Sequence, residues 1–358
     1  MFIDILQPYI DSGALAGAVT AVASSDRVLD VGAIGFADIA AGRAMTADTV
    51  FWIASMSKPI TATALMMLVE SGDVKLDDPV ETYLPDFTNV RLAAYRDDTH
   101  LLLRRPGRPV TVRDTLCHVS GLPFCSYVEH PTLDRLTLAE SVRSYATTPL
   151  NTEPGTKMEY SNAGINIAGR IIEVVGGMPY ETFLDQRLFG PLGMPDTTFW
   201  PTPDHLKRLA TAYKPNDAKT GLETYKIEQL TYPLDGRTRT PMPAGGLFST
   251  AADMARFGMA ILRGGELAGR RILRDETVRE MLTPQSLAYP AVENPWALGW
   301  WSDGAKAGHG GALSTNLEID PPSGLVTVYL IQHAGFHGNA GEAFPTFRTA
   351  ATERFREK

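Results

Sequence analysis

Phe51-Trp52-Ile53-Ala54-Ser55-Met56-Ser57-Lys58-Pro59 passes from an apolar stretch into a helix. Ile60, Ala64, Leu68 and Val69 follow at helical spacing. Pro59 falls in the first turn, where a missing N–H costs little, and Ser71-Gly72-Asp73 stops the helix. Ser55 and Lys58 are three residues apart, so they share a face. If Ser55 opens the helix, the Lys58 ammonium reaches its hydroxyl, and the helix N-terminus favours negative charge on that oxygen. A serine is a weak nucleophile until a base takes its proton; Ser55 and Lys58 are a candidate pair for that chemistry. Taken alone, the same spacing also describes a serine cap beside a solvated lysine.

Two further stretches add chemistry. In Tyr160-Ser161-Asn162, a phenol near a lysine ammonium is expected to lose part of its ordinary pKa of about 10 and to serve as a base. Asn162 offers an amide donor and acceptor for orienting the lysine and a substrate carbonyl. In His309-Gly310-Gly311-Ala312, two residues without Cβ let a substrate lie along a strand edge. The N–H groups of Ala312 and Ser55 are the expected oxyanion donors. Each stretch by itself also reads as a core tyrosine or a glycine-rich turn.

Together, in this order, the three stretches resemble the serine β-lactamase and penicillin-binding-protein superfamily, whose S-x-x-K motif is followed by Y-x-N and then by a K/H-x-G strand. Lys75-Leu76-Asp77-Asp78-Pro79-Val80, Leu116-Cys117-His118-Val119-Ser120-Gly121-Leu122-Pro123, Glu153-Pro154-Gly155, Ala244-Gly245-Gly246-Leu247-Phe248-Ser249-Thr250 and Leu298-Gly299-Trp300-Trp301 fit the same pattern. The match runs over roughly residues 15 to 335 and is similar to the class C β-lactamase-like branch, with its family VIII carboxylesterases, DD-peptidases and D-amino-acid amidases. The resemblance implies an α/β (α+β) fold with an antiparallel sheet flanked by helices and an inserted helical domain. It also implies a covalent acyl-enzyme on Ser55, with Lys58, Tyr160 and Asn162 around it, and no cofactor.

One departure bears on substrate. The third motif reads His-Gly-Gly where Lys-Thr-Gly is usual. A histidine is mostly neutral at pH 7, and the threonine hydroxyl is gone. Recognition of a substrate carboxylate is weakened, which favours a carboxylesterase on small or medium acyl esters. A D-amino-acid amidase or DD-peptidase, weak β-lactamase activity and acyl transfer are the alternatives, and a non-catalytic penicillin-binding-like ligand-binding protein is the contrasting class. A small-molecule ester or amide is thus the expected partner.

The rest of the chain sets boundaries. At 358 residues it holds one large domain or two. A net charge of −8 argues against nucleic acid, which needs a basic face. No run of 18 apolar residues exists to span a membrane. The start lacks a signal peptide's basic and apolar regions, which places the chain in the cytoplasm, or in the periplasm or outside the cell if a leader was trimmed. Oligomeric state is not legible. No G-x-S-x-G elbow occurs, and the histidines show no metal-ligand spacing, so no metal is expected. Cys117 and Cys125 read as two reduced thiols.

Strands are expected at 17–23 and 28–35, with a terminal hairpin at 313–319 and 325–331. Helices are expected at 3–10, 166–175, 251–263, 275–282 and 341–355. Strands at both ends with helical material between suggest a discontinuous sheet domain, 1–80 and 192–358, around a helical domain, 81–191, with the site in the cleft between them. Residues 201–243 read as an excursion over the surface. Arg91, Arg96, Arg104, Arg105, Arg108 and Arg113 read as a charge-paired loop. Trp300 and Tyr127, with Trp200, Trp301 and Phe124, are the candidate walls of an acyl pocket, against a default of core packing.

Overall fold

The computed structural model describes residues 2–356. Seven antiparallel strands form the main sheet: β1 (Gly17–Ala23), β2 (Val28–Asp38), β3 (Arg43–Ala44), β4 (Trp301–Ser302), β5 (Ala307–Gly310), β6 (Asn316–Asp320) and β7 (Leu325–Leu330). Their order is β4-β5-β6-β7-β1-β2-β3, so the first strand pairs with the last, Val19 opposite Leu330.

β1 is buried along its whole length. It needs apolar residues on both faces because both are covered. Val19, Ala21 and Ala23 enter one apolar cluster, while Ala18 and Val22 enter another. β7 alternates in the same way, with Val326, Val328 and Leu330 on the first side and Leu325 and Tyr329 on the second. The first side is covered by α4 (Ala251–Leu262). Gly258 lets that helix lie directly on the sheet, since a Cβ there would stand 2.4 Å from Val326. The second side is covered by the N-terminal turns and by α5 (Ala343–Phe355), where Phe347 packs on Tyr329.

α1 (Ser57–Glu70) is buried from Ser57 through Leu68. An apolar surface on all sides suits a helix wrapped by other elements. Its neighbours include α3 (Asn162–Gly176) and, beyond it, α2 (Leu138–Thr147), within one continuous apolar cluster. No helix among the described residues is long and apolar enough to cross a membrane.

Several sequence-based expectations need correction. The strand expected from 313 begins at Asn316, because Leu313–Thr315 form a tight turn closed by the Gly311 N–H on the Thr315 carbonyl at 2.8 Å. α3 begins four residues earlier than expected, at Asn162, because the Ser161 hydroxyl caps it by accepting the Gly164 N–H. Residues 201–243 are not merely a surface excursion: Ile227, Leu230, Leu234 and Met242 pack beneath Trp52 and Phe248. Their anchor is an ion pair between Arg239 and Asp134, 2.7 Å apart, with side chains 2% and 0% exposed. Asp134 also accepts the Thr231 N–H. Breaking such a pair from one side leaves a buried charge unmatched. Arg239→Met is therefore expected to lower stability by about 3–5 kcal/mol in urea unfolding, and Asp134→Leu/Arg239→Met to recover a large part of that loss. A single variant as stable as the parent would sink this account.

Three of the six arginines are paired, Arg104 with Glu153, Arg108 with Asp114 and Arg113 with Asp77. Cys117 and Cys125 are free thiols.

Candidate active site

The segment before α1 is pinned from three sides. The Ile53 N–H donates to the Leu247 carbonyl at 3.0 Å, the Trp52 indole to the Gly245 carbonyl at 2.7 Å, and the Thr315 hydroxyl to the Ile53 carbonyl at 3.3 Å. Ala54 is held at a φ of 45°, a left-handed conformation that costs energy for a residue with a Cβ. Ser55 follows in a 3-10 turn, Ala54–Met56, rather than as the helix cap; the α-helix starts at Ser57. Ser55 stays partly exposed, while Ala54, Met56, Ser57 and Lys58 are buried.

Lys58 is fully buried. Its Nζ lies 3.0 Å from Ser55 Oγ, 2.8 Å from Asn162 Oδ1 and 2.6 Å from the Ala244 carbonyl oxygen. Burial drives its pKa well below the ordinary lysine value. The amide and carbonyl oxygens can only accept. When deprotonated, the amine would give its two hydrogens to them and turn its lone pair to the Ser55 hydroxyl. Ala244 is itself held by its N–H on Asn166 Oδ1 at 3.0 Å; the Asn166 amide donates to the Tyr145 oxygen at 2.8 Å, and Tyr145 donates to Glu129.

Tyr160 lies with its ring centroid 4.7 Å from Lys58 Nζ. The expected lowering of its pKa does not occur. Burial pushes the phenol up, only partly opposed by its hydrogen bond to Ser55, and the neighbouring amine is itself driven toward neutrality. The Tyr160 oxygen lies 3.4 Å from His309 Nε2. His309 Nδ1 donates to the Gly310 carbonyl at 2.6 Å, so Nε2 is the acceptor. Burial, with the nearby Lys58, lowers the His309 pKa to about 3, so this imidazole is neutral at pH 7.

The glycine turn packs on the nucleophile's segment. A Cβ on Gly311 would stand 2.5 Å from the Ile53 carbonyl oxygen and 2.1 Å from Thr315 Oγ1. Gly310 and Ala312 beside it are exposed. The structure thus brings Ser55, Lys58, Tyr160, Asn162 and His309 together, with Gly311 packed on the Ser55 segment and Gly310 and Ala312 next to it in the chain.

The aromatic expectations fare differently. Trp300 is not a cleft wall: it is fully buried and stacked on Phe257, ring centroids 5.8 Å apart. Gly299 before it lies against α1, where a Cβ would stand 2.5 Å from the Ala62 Cβ. Tyr127 is 79% exposed on a short 3-10 turn. Phe124 stacks over Tyr160 at 6.4 Å. The aromatic missed from the sequence is Trp296, edge-on to Tyr160 at 5.9 Å and to His309 at 5.6 Å. Among the described residues, no group of three His, Cys, Asp or Glu side chains is placed to hold a metal ion.

The family model described as Beta-lactamase matches residues 2–348. This chain belongs to the β-lactamase family. It is 33% identical over 363 residues to protein Rv1367c of Mycobacterium tuberculosis, covering 90% of this chain and 87% of that protein. It is 36% identical over 197 residues to esterase EstB of Burkholderia gladioli, covering 52% of this chain and 47% of that one. Among solved structures it superposes on EstCE1, a hydrolase with promiscuous acyltransferase activity, with a TM-score of 0.81 and 26% identity over 98% of this chain and 97% of that one. The enzyme is a serine hydrolase of the β-lactamase and penicillin-binding-protein superfamily.

Proposed function

We propose that the protein is a carboxylesterase acting through an acyl-enzyme on small or medium acyl esters that carry no carboxylate of their own. The observation that carries this reading is the position of the Lys58 amine, 3.0 Å from Ser55 Oγ and held between Asn162 Oδ1 and the Ala244 carbonyl. Lys58 takes the Ser55 proton as Oγ attacks the carbonyl. The ester oxygen then leaves as the alcohol, protonated by the Tyr160 phenol, which regains its proton from Lys58. Water reverses the sequence: it attacks the acyl group, its proton passes to Tyr160 and Lys58, and Ser55 Oγ is released with a proton. The N–H groups of Ser55 and Ala312 serve the oxyanion. The work lies in the cleft between the sheet unit, 1–80 and 192–358, and the segment 81–191.

The substrate class follows from His309. With a pKa of about 3 it supplies no cation at the position where a lysine would meet a carboxylate. Phe124 and Trp296 beside Tyr160 present apolar ring surface instead. Incubation with p-nitrophenyl acetate and butyrate, a D-alanyl peptide and nitrocefin, followed by intact-mass spectrometry, tests this. Esters are expected to give an adduct on Ser55 and turnover at least about 100-fold faster than the peptide or nitrocefin, the size of discrimination that one well-placed interaction supplies. Faster release from the carboxylate-bearing substrates would reassign the enzyme to the peptidases or β-lactamases.

A further inference from the structure

Five hydrogen bonds join the loop 118–124 to the residues around Tyr160. The His118 carbonyl accepts the Glu159 N–H at 2.8 Å, and His118 Nδ1 accepts the Ser161 N–H at 3.1 Å. These are the N–H groups of the residues on either side of Tyr160. The Pro123 carbonyl takes the Ser161 hydroxyl at 2.7 Å, and the Phe124 carbonyl takes the N–H groups of Asn162 and Ala163 at 3.0 and 3.1 Å. The His118 ring lies 4.6 Å from the Tyr160 ring and 4.9 Å from Trp296.

We infer that His118 is a positioning residue, whose carbonyl and imidazole hold the N–H groups of the two residues flanking Tyr160 and so keep the phenol beside Lys58 and Ser55. The inference rests on the hydrolase reading above. The His118 backbone sits in the left-handed region, at a φ of 58°. With Nδ1 accepting, the ring proton sits on Nε2, which is buried without a partner. An orphaned buried donor costs stability. A purely apolar ring at 118 would avoid that cost and lose the Nδ1 acceptor, so filling space does not account for an imidazole here. Burial, with Lys58 and His309 nearby, keeps the ring neutral, as an accepting Nδ1 requires. A phenol displaced by an ångström transfers protons poorly, and misplacement on that scale costs about 100-fold in rate.

His118→Gly accepts the left-handed backbone without strain and removes the acceptor. His118→Asn also tolerates that backbone and restores an acceptor oxygen near Nδ1. Both lose the ring, so both should melt at similarly lowered temperatures. With p-nitrophenyl butyrate, His118→Gly is expected to lose about 100-fold in kcat with KM changed less than about threefold. His118→Asn should regain at least about tenfold of that loss. His118→Ala serves as the acceptor-free variant if the glycine protein does not fold. Equal kcat in the two variants, or an effect confined to KM, would overturn the inference. A wild-type protein that forms no Ser55 adduct defeats the hydrolase reading and this one together; a labelled wild type matched by His118→Gly defeats this one alone.

Discussion

Ser55→Ala is expected to abolish the acyl adduct and reduce kcat for p-nitrophenyl esters by at least about 10⁴-fold, as loss of a nucleophile does elsewhere. The neighbouring Ser57 offers no substitute. Its hydroxyl is buried, donates to the Ala54 carbonyl at 2.7 Å and accepts the Leu247 N–H at 3.3 Å. Removal of the Ser55 hydroxyl leaves Lys58 still bonded to Asn162 and Ala244. Folding should therefore be preserved with a loss of about 1 kcal/mol, the net contribution of a lost hydrogen bond. Steady-state kinetics, intact mass and thermal unfolding on the same preparation decide the matter. Residual turnover above about one part in a hundred, with an adduct still present, would place the nucleophile elsewhere.

Lys58→Met is expected to cost roughly 10³-fold in kcat, the scale of a lost general base, and to change the pH dependence of stability. In the unfolded chain Lys58 titrates near its ordinary value; in the fold its pKa is driven well below that by burial. Between the two values the unfolded chain binds the extra proton, so this group makes stability rise with pH. The contribution is fully present above the ordinary lysine value and is lost as the pH falls through the lowered one. The slope is at most about 1.4 kcal/mol per pH unit. Methionine fills similar volume and has no such slope. It leaves the oxygens of Asn162 and Ala244 without their donor, which costs about 1–3 kcal/mol each, offset by the end of amine burial. The stability difference between wild type and variant should then shift in favour of wild type between pH 7 and pH 9.5 in urea titrations. A constant difference would mean an ordinary lysine pKa and would remove Lys58 as the base.

The sequence made the reacting groups legible because their chemistry depends on local spacing. Ser55 and Lys58 stand three positions apart, and a short polar-aromatic cluster holds Tyr160 and Asn162. The sheet was legible at its central strands, β1 and β7, which are apolar apart from Thr20 and Thr327 and are bounded by turn residues. What stayed hidden depends on backbone atoms and distant partners. The third ligand of the Lys58 amine is the carbonyl of Ala244, 186 residues away, and a carbonyl has no residue signature. The Asn166–Tyr145–Glu129 chain behind it joins ordinary helix residues to a loop. Trp300 and Trp296 are indistinguishable as letters. Only the packing separates the one stacked on Phe257 in the core from the one edge-on to Tyr160. The direction of the Tyr160 shift was misread because spacing reveals a nearby amine but not how deeply both groups are buried.

The pairing of β1 with β7 also has a consequence for the order in which the protein comes into being. During synthesis, β1 and β2 emerge hundreds of residues before Leu325–Leu330, the strand that completes their sheet. Until then one edge of β1, apolar on both faces, has no native neighbour, and open edges of this kind attract other chains. His309 and the glycine turn arrive equally late. A nascent chain released before residue 330 would carry Ser55, Lys58 and Tyr160 and yet be inert and prone to aggregate. The segment 309–330 thus acts as a completion check on everything translated before it.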